Sequence, residues 1–147
     1  MKGKIVYTMD YKSLVDLFVR AKLEIDPREP QPDGLLACLE LVDEDTGERY
    51  GAAGLVFDKG VYIVRCVAVE EAYRGLGFGK QLVEAAMKEA IRRGAEEIWL
   101  TAKVPQFYEK FGFVIVPMEY APFETKCKTC IQYRNGCNSE VMKWKKL

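Results

Sequence analysis

Gly75, Gly77 and Gly79 stand at alternate positions in the stretch Arg74-Gly75-Leu76-Gly77-Phe78-Gly79-Lys80, between two runs of different periodicity. Before them, Val61 to Val69 is rich in β-branched and aromatic residues, the composition of a largely buried strand. After them, from Gln81 to Arg93, Leu82, Ala86 and Ala90 recur every four residues with Val83, Met87 and Ile91 beside them. Glu84 precedes Lys88 by four on the polar side, so this run predicts an amphipathic helix. A strand, a glycine turn and a helix in that order require a mixed α/β fold. The glycines allow successive N–H groups to point into one concavity at the positive end of the helix, which suits a pyrophosphate without a metal. A turn kept only for tight packing is the competing reading.

Two other phosphate-binding designs fail on spacing. A P-loop needs a hydroxyl after its lysine, and Gln81 follows Lys80. A dinucleotide fold needs G-x-G-x-x-G and an acidic residue closing the next strand. Here the spacing is G-x-G-x-G and the next apolar run ends Leu100-Thr101-Ala102.

The remaining elements follow from pattern. Lys4 to Thr8 is β-prone, and Asp10 or Ser13 can cap a helix running to about Ala21, with Leu14, Leu17, Phe18 and Ala21 on one face. Ile25 to Gly34 holds three prolines and reads as a loop. Leu35 to Val42, Tyr50 to Phe57 and Val61 to Val69, separated by turn residues, predict an antiparallel meander. Gly94 sits where a helix C-terminus needs it. Glu97 to Ala102 predicts a strand, Pro105 to Phe111 a short helix closed by Gly112, and Phe113 to Val116 and Glu140 to Lys145 two further strands.

Val67 to Leu82 resembles the acetyl-CoA motif of the GNAT superfamily of N-acetyltransferases, in which Arg or Gln, two residues, Gly, one residue, and Gly or Ala match Arg74, Gly77 and Gly79. Val104 to Phe113, VPQFYEKFGF, is similar to the same family's downstream signature. The resemblance implies a central mixed, mostly antiparallel sheet of about seven strands, splayed between the fourth and fifth and flanked by helices. It also implies that Val67, Ala68 and Val69 run beside the pantetheine arm and that the amides of Arg74, Gly75, Leu76, Gly77, Phe78, Gly79 and Lys80 cradle the pyrophosphate. The thioester carbonyl would lie near the amide of about Val69. Tyr108 would protonate the departing thiolate, its ordinary pKa of about 10 being near that of a thiol. Glu70 is the candidate base, with a solvent-facing charge as the alternative.

Composition bounds the rest. The 147 residues suit one domain, read as residues 1–147, and Lys plus Arg equals Asp plus Glu at 22 each, so no net field selects nucleic acid as a partner. No stretch approaches a membrane span and no leader is apparent, which predicts a cytoplasmic protein. With no histidine, a base must be another group and a metal site must be led by thiolates. Three of the five cysteines, Cys127, Cys130 and Cys137, fall in a family-atypical insertion at about 124–138. They could hold zinc, with a carboxylate, a water or a cysteine from the second subunit of a homodimer as fourth ligand. They could instead form a disulfide or remain free thiols. Acidic residues Glu24, Asp26, Glu29 and Asp33 hint at a cationic acceptor. The function expected is direct acetyl transfer from acetyl-CoA to a small or peptide primary amine. The alternative is a CoA-binding sensor with a metal- or redox-responsive cysteine loop.

Overall fold

The computed structural model describes residues 3–20, 31–122 and 140–146. Seven strands form one mixed sheet in the order β1-β2-β3-β4-β5-β7-β6. They are β1 (Gly3–Thr8), β2 (Leu35–Asp43), β3 (Arg49–Asp58), β4 (Val61–Val69), β5 (Glu97–Ala102), β6 (Val114–Val116) and β7 (Glu140–Lys145). The helices are α1 (Lys12–Arg20), α2 (Phe78–Arg92) and α3 (Pro105–Glu109). All strand pairs are antiparallel except β4 and β5. Among the described residues no helix is long and apolar enough to cross a membrane.

The sheet is covered on both faces, which explains why β2 and β3 are buried along most of their length. On one face α1 packs Leu14, Val15, Leu17 and Phe18 against Cys38, Ala52, Val56 and Ala68. On the other, Ala86 and Ala90 of α2 pack with Leu39, Leu55, Val64 and Ile98. Leu14 and Phe18 are wholly buried, and each such side chain contributes about 2 kcal/mol. Asp10 starts α1: its carboxylate accepts the Ser13 N–H at 3.3 Å and its carbonyl accepts the Ser13 hydroxyl at 2.8 Å.

The splay has a clear register. β4 and β5 pair only at Tyr62 with Ile98 and Ile63 with Trp99, near their starts. β5 then continues along β7 through Ala102, leaving the later half of β4 without a strand on its β5 side.

β4 also carries a bulge. Gly54 pairs with Arg65 and Ala52 with Ala68, so Cys66 and Val67 together face Ala53. Cys66 sits at φ 61, a left-handed conformation that costs a non-glycine residue about 1–2 kcal/mol. The extra residue reverses which face later side chains take: Tyr62 and Val64 pack on the α2 face before it and Val67 after it, while Cys66 and Ala68 join the α1 face.

The helix after the glycines begins earlier than its periodicity suggests. It starts at Phe78 rather than Gln81, taking Gly79 and Lys80 into its first turn. Tertiary packing overrides the low propensity of glycine here. Phe78 is buried and its ring stacks on Tyr50 with centroids 4.5 Å apart, while Tyr73 meets Tyr50 edge-on at 4.6 Å. The Tyr50 hydroxyl donates to Asp43, and that bond, with the N–H groups of Thr46 and Asp45, holds the Asp43 carboxyl down at about 2. Three rings and a carboxylate thus pin the start of α2 to the start of β3. At its other end Gly94, at φ 105, closes α2 by donating its N–H to Ile91 O. Two smaller differences lie downstream: α3 stops at Glu109, and Phe113 lies outside β6.

Candidate active site

The site is built where β4 loses its neighbour. The Glu70 N–H donates to Tyr50 O at 2.8 Å, one residue beyond the Val69–Gly51 pair. That makes Val69–Gly51 a non-hydrogen-bonded pair, so the Val69 N–H and C=O point away from β3 to the open side. The carbonyl accepts a bond from Arg74 Nε at 3.2 Å. An extended ligand carrying amides can add to such an edge as a strand would. Val67 and Val69 supply half-buried apolar side chains beside it, and Ala68 is buried against α1.

Gly75 and Gly77 adopt φ 81 and 84, and a Cβ on either would touch nothing within 4 Å. Conformation alone therefore requires glycine at both positions. Gly77 is also the N-cap of α2, and the Gln81 N–H bonds back to Gly77 O at 3.2 Å. The amides of the first turn, from Phe78 to Lys80, precede that first helical bond and so have no partner within the helix. They and the helix dipole make a positive end suited to an anion. Gly79 differs, being in the ordinary helical region with space for a methyl 3.4 Å from the Phe107 ring. Leu76 is exposed, and Lys80 is exposed and reaches Glu84 at 3.9 Å.

Tyr108 lies on α3, packed edge-on against Phe107 and Phe113. Burial pushes its phenol up to about 12, and the Cys66 thiol acts in the same direction. The sequence-based expectation of a pKa near 10 is therefore corrected upward: desolvation disfavours the phenolate. Tyr108 therefore stays protonated throughout the neutral range.

Glu70 stands just past β4, where the sequence suggests, but its carboxylate is engaged. Arg20 Nη2, from the last turn of α1, donates to Oε1 at 2.7 Å and to Oε2 at 3.0 Å. A proton bound for Glu70 must displace or travel around that contact. Beside it lies a cavity of about 720 Å³ on the α1 side of the sheet, lined by Leu17, Arg20, Arg49, Val69, Glu70 and Arg74 among others. Periodicity put Arg20 at the end of a helix without revealing what it meets. Nothing in the sequence marks Arg49 as part of this wall.

Cys127, Cys130 and Cys137 lie outside the described residues, as do Glu24, Asp26 and Glu29. Among the described residues no group of three His, Cys, Asp or Glu side chains is placed to hold a metal.

The sequence model of the Acetyltransferase (GNAT) family matches residues 11–113. Among solved structures, the chain is similar to an acetyltransferase of the GNAT family from Staphylococcus aureus Mu50, at a TM-score of 0.75 and 18% identity, covering 98% of this chain and 99% of that one. It is similar to Rv2747 from Mycobacterium tuberculosis, solved with CoA, at a TM-score of 0.67 and 16% identity over 97% of this chain and 99% of that one. It also matches N-acetylglutamate synthase from Neisseria gonorrhoeae, solved with coenzyme A and N-acetyl-glutamate, at a TM-score of 0.72 and 17% identity. That match covers 99% of this chain but 36% of the synthase, so the chain spans about a third of that protein. Identities this low establish a shared fold.

Proposed function

The chain belongs to the GNAT acetyltransferase family, and from that premise we propose that it transfers an acetyl group from acetyl-CoA directly to a primary amine. The observation that carries the reading is the junction of two binding surfaces at Val69. Its outward N–H continues the open edge of β4, and the positive-φ glycines and α2 N-terminus follow within eleven residues of chain. In this reading the pantetheine amides pair with β4 at Val67 to Val69, and the amides from Arg74 to Lys80 receive the pyrophosphate.

The reaction requires a nucleophilic amine, a donor for the developing oxyanion and a proton for the thiolate. The amine nitrogen attacks the thioester carbonyl carbon, forming the C–N bond and moving the carbonyl electrons onto oxygen. The Val69 N–H is the donor available to that oxygen. Collapse reforms the carbonyl and breaks the C–S bond, and the sulfur takes its proton from Tyr108, whose phenolate regains one from solvent before the next turnover. With burial holding Tyr108 at about 12, it acts as a hydrogen-bond donor that releases its proton as charge builds on sulfur. The attacking nitrogen sheds its surplus proton into the cavity that Glu70 lines. Glu70, the sequence-based candidate base, either relays that proton around the Arg20 contact or orients the wall.

The test is CoA thiol release from acetyl-CoA over a panel of amines, amino acids and peptides. Turnover that depends on an added amine, with the acetylated product identified by mass, is the expected result. Acetyl-CoA binding with no turnover across the panel would overturn the proposal.

A further inference from the structure

We propose that the acceptor is an amino-acid-like zwitterion, carrying a carboxylate close to its amine, and that Arg49 holds the carboxylate. The inference rests on the acetyl-transfer reading and names the substrate class of the same site.

The cavity beside Val69 lies on the α1 face, between the end of α1, the start of β3 and the turn after β4. The glycine loop leads into α2 on the opposite face. An amine must reach a thioester from the side that CoA does not fill, and this cavity adjoins the strand on that side.

Its charged groups are mostly committed to one another. Glu70 takes two bonds from Arg20, Glu48 accepts the Tyr73 hydroxyl, and Arg74 Nε is held by Val69 O. Arg49 differs. Its Nη1 donates to Ser13 O at 3.1 Å, but its Nε is buried without an acceptor among the described residues. A buried guanidinium N–H left unpaired is unfavourable, and guanidinium geometry matches a carboxylate. Arg49 also lines the cavity and has no carboxylate partner among the described residues, so an anionic group entering there is the partner its guanidinium would turn to meet.

The same wall limits how much negative charge can enter. Glu48, Glu70 and Glu71 line the cavity with Arg49, so a phosphate-sized dianion would meet like charge on several sides. One carboxylate on Arg49, with an ammonium group facing the glutamates, satisfies both sets. A simple alkylamine would leave Arg49 Nε as it stands.

Matched acceptors test this: free amino acids against their α-carboxamides and the corresponding decarboxylated amines, each followed by CoA release. The wild type is expected to favour the carboxylates by about 100-fold in kcat/KM, the scale of losing one partner of a buried charge pair. Arg49→Met should remove most of that preference through KM, and Arg49→Lys, which keeps the charge and lacks the Nε donor, should recover part of it. Melting curves and the KM for acetyl-CoA report whether either variant is damaged generally. If Arg49→Met does not fold, the preference of the wild type and the partial loss in Arg49→Lys carry the test. Amines acetylated regardless of a carboxylate would overturn the inference and leave acetyl transfer standing. An undiminished preference in both Arg49 variants would overturn the role of Arg49. If no acceptor of either kind is acetylated, the acetyl-transfer reading fails and takes this inference with it.

Discussion

Arg20 Nη2 sits 2.7 Å from Glu70 Oε1 and 3.0 Å from Oε2, joining the last turn of α1 to the residue after β4. Arg20 is more than half exposed, so the contact adds little to stability. Its consequence is positional: Glu70 cannot swing toward a substrate without releasing Arg20. Glu70→Gln keeps the shape and one acceptor oxygen, and is expected to lower kcat/KM by about tenfold or less with an unchanged pH profile. A loss of about 100-fold or more together with a lost acidic limb would identify Glu70 as the base itself.

Tyr108→Phe removes one hydroxyl from a side chain packed among Phe107, Phe113 and the core. The ring remains, so the fold and the KM for acetyl-CoA should hold while kcat falls about 100-fold, the lower range for a proton donor. Because burial pushes the phenol up to about 12, Tyr108 stays protonated across the working range. Wild-type kcat/KM should rise as the acceptor amine loses its proton and then stay level to pH 11. A descending limb near pH 10 would show that the phenol titrates at its ordinary value.

The glycines of the loop separate by conformation. Gly77→Val forces a β-branched residue into φ 84, the N-cap of α2, and should abolish acetyl-CoA binding measured by calorimetry. Gly79→Ala meets the Phe107 ring at 3.4 Å and Val69 Cγ2 at 3.8 Å in ordinary helical backbone, so binding is expected within about threefold of wild type. Equal damage from both would mean that Gly79 faces a ligand closely.

The strands and helices were readable where one periodicity ran unbroken. Val61–Val69, Glu97–Ala102 and Glu140–Lys145 have the same bounds in sequence and structure. The start of α2 was not readable, because glycine propensity points one way and the burial of Phe78 under Tyr50 the other, and the second depends on a residue 28 positions earlier. The bulge was hidden for a similar reason: Arg65-Cys66-Val67 contains no glycine to announce a left-handed residue. Of the proposed site, the glycine loop and Tyr108 were visible as motifs. Arg20 and Arg49 were invisible, since each acquires its meaning from a surface assembled by α1, β3 and the turn after β4.

Glu89 is the one buried charged side chain among the described residues, and it lies far along α2 from the loop. Arg92 Nε donates to it at 3.0 Å and Arg93 Nε at 2.7 Å. The Arg92 bond first, then Arg93, outweigh burial and hold its carboxyl down at about 2, below its ordinary 4.5. A depressed folded-state pKa means stability that is present above about pH 4.5 and lost as pH falls toward 2. Glu89→Gln removes the charge and leaves a weaker acceptor between two guanidinium groups. It should cost about 1–2 kcal/mol at pH 7, lowering the melting temperature by about 2–8 °C. The difference from wild type should shrink as the pH is taken from 4.5 to 2, while acetyl-CoA binding at pH 7 stays unchanged. A gap that stays constant over that interval would mean that Glu89 acts through packing rather than through its charge.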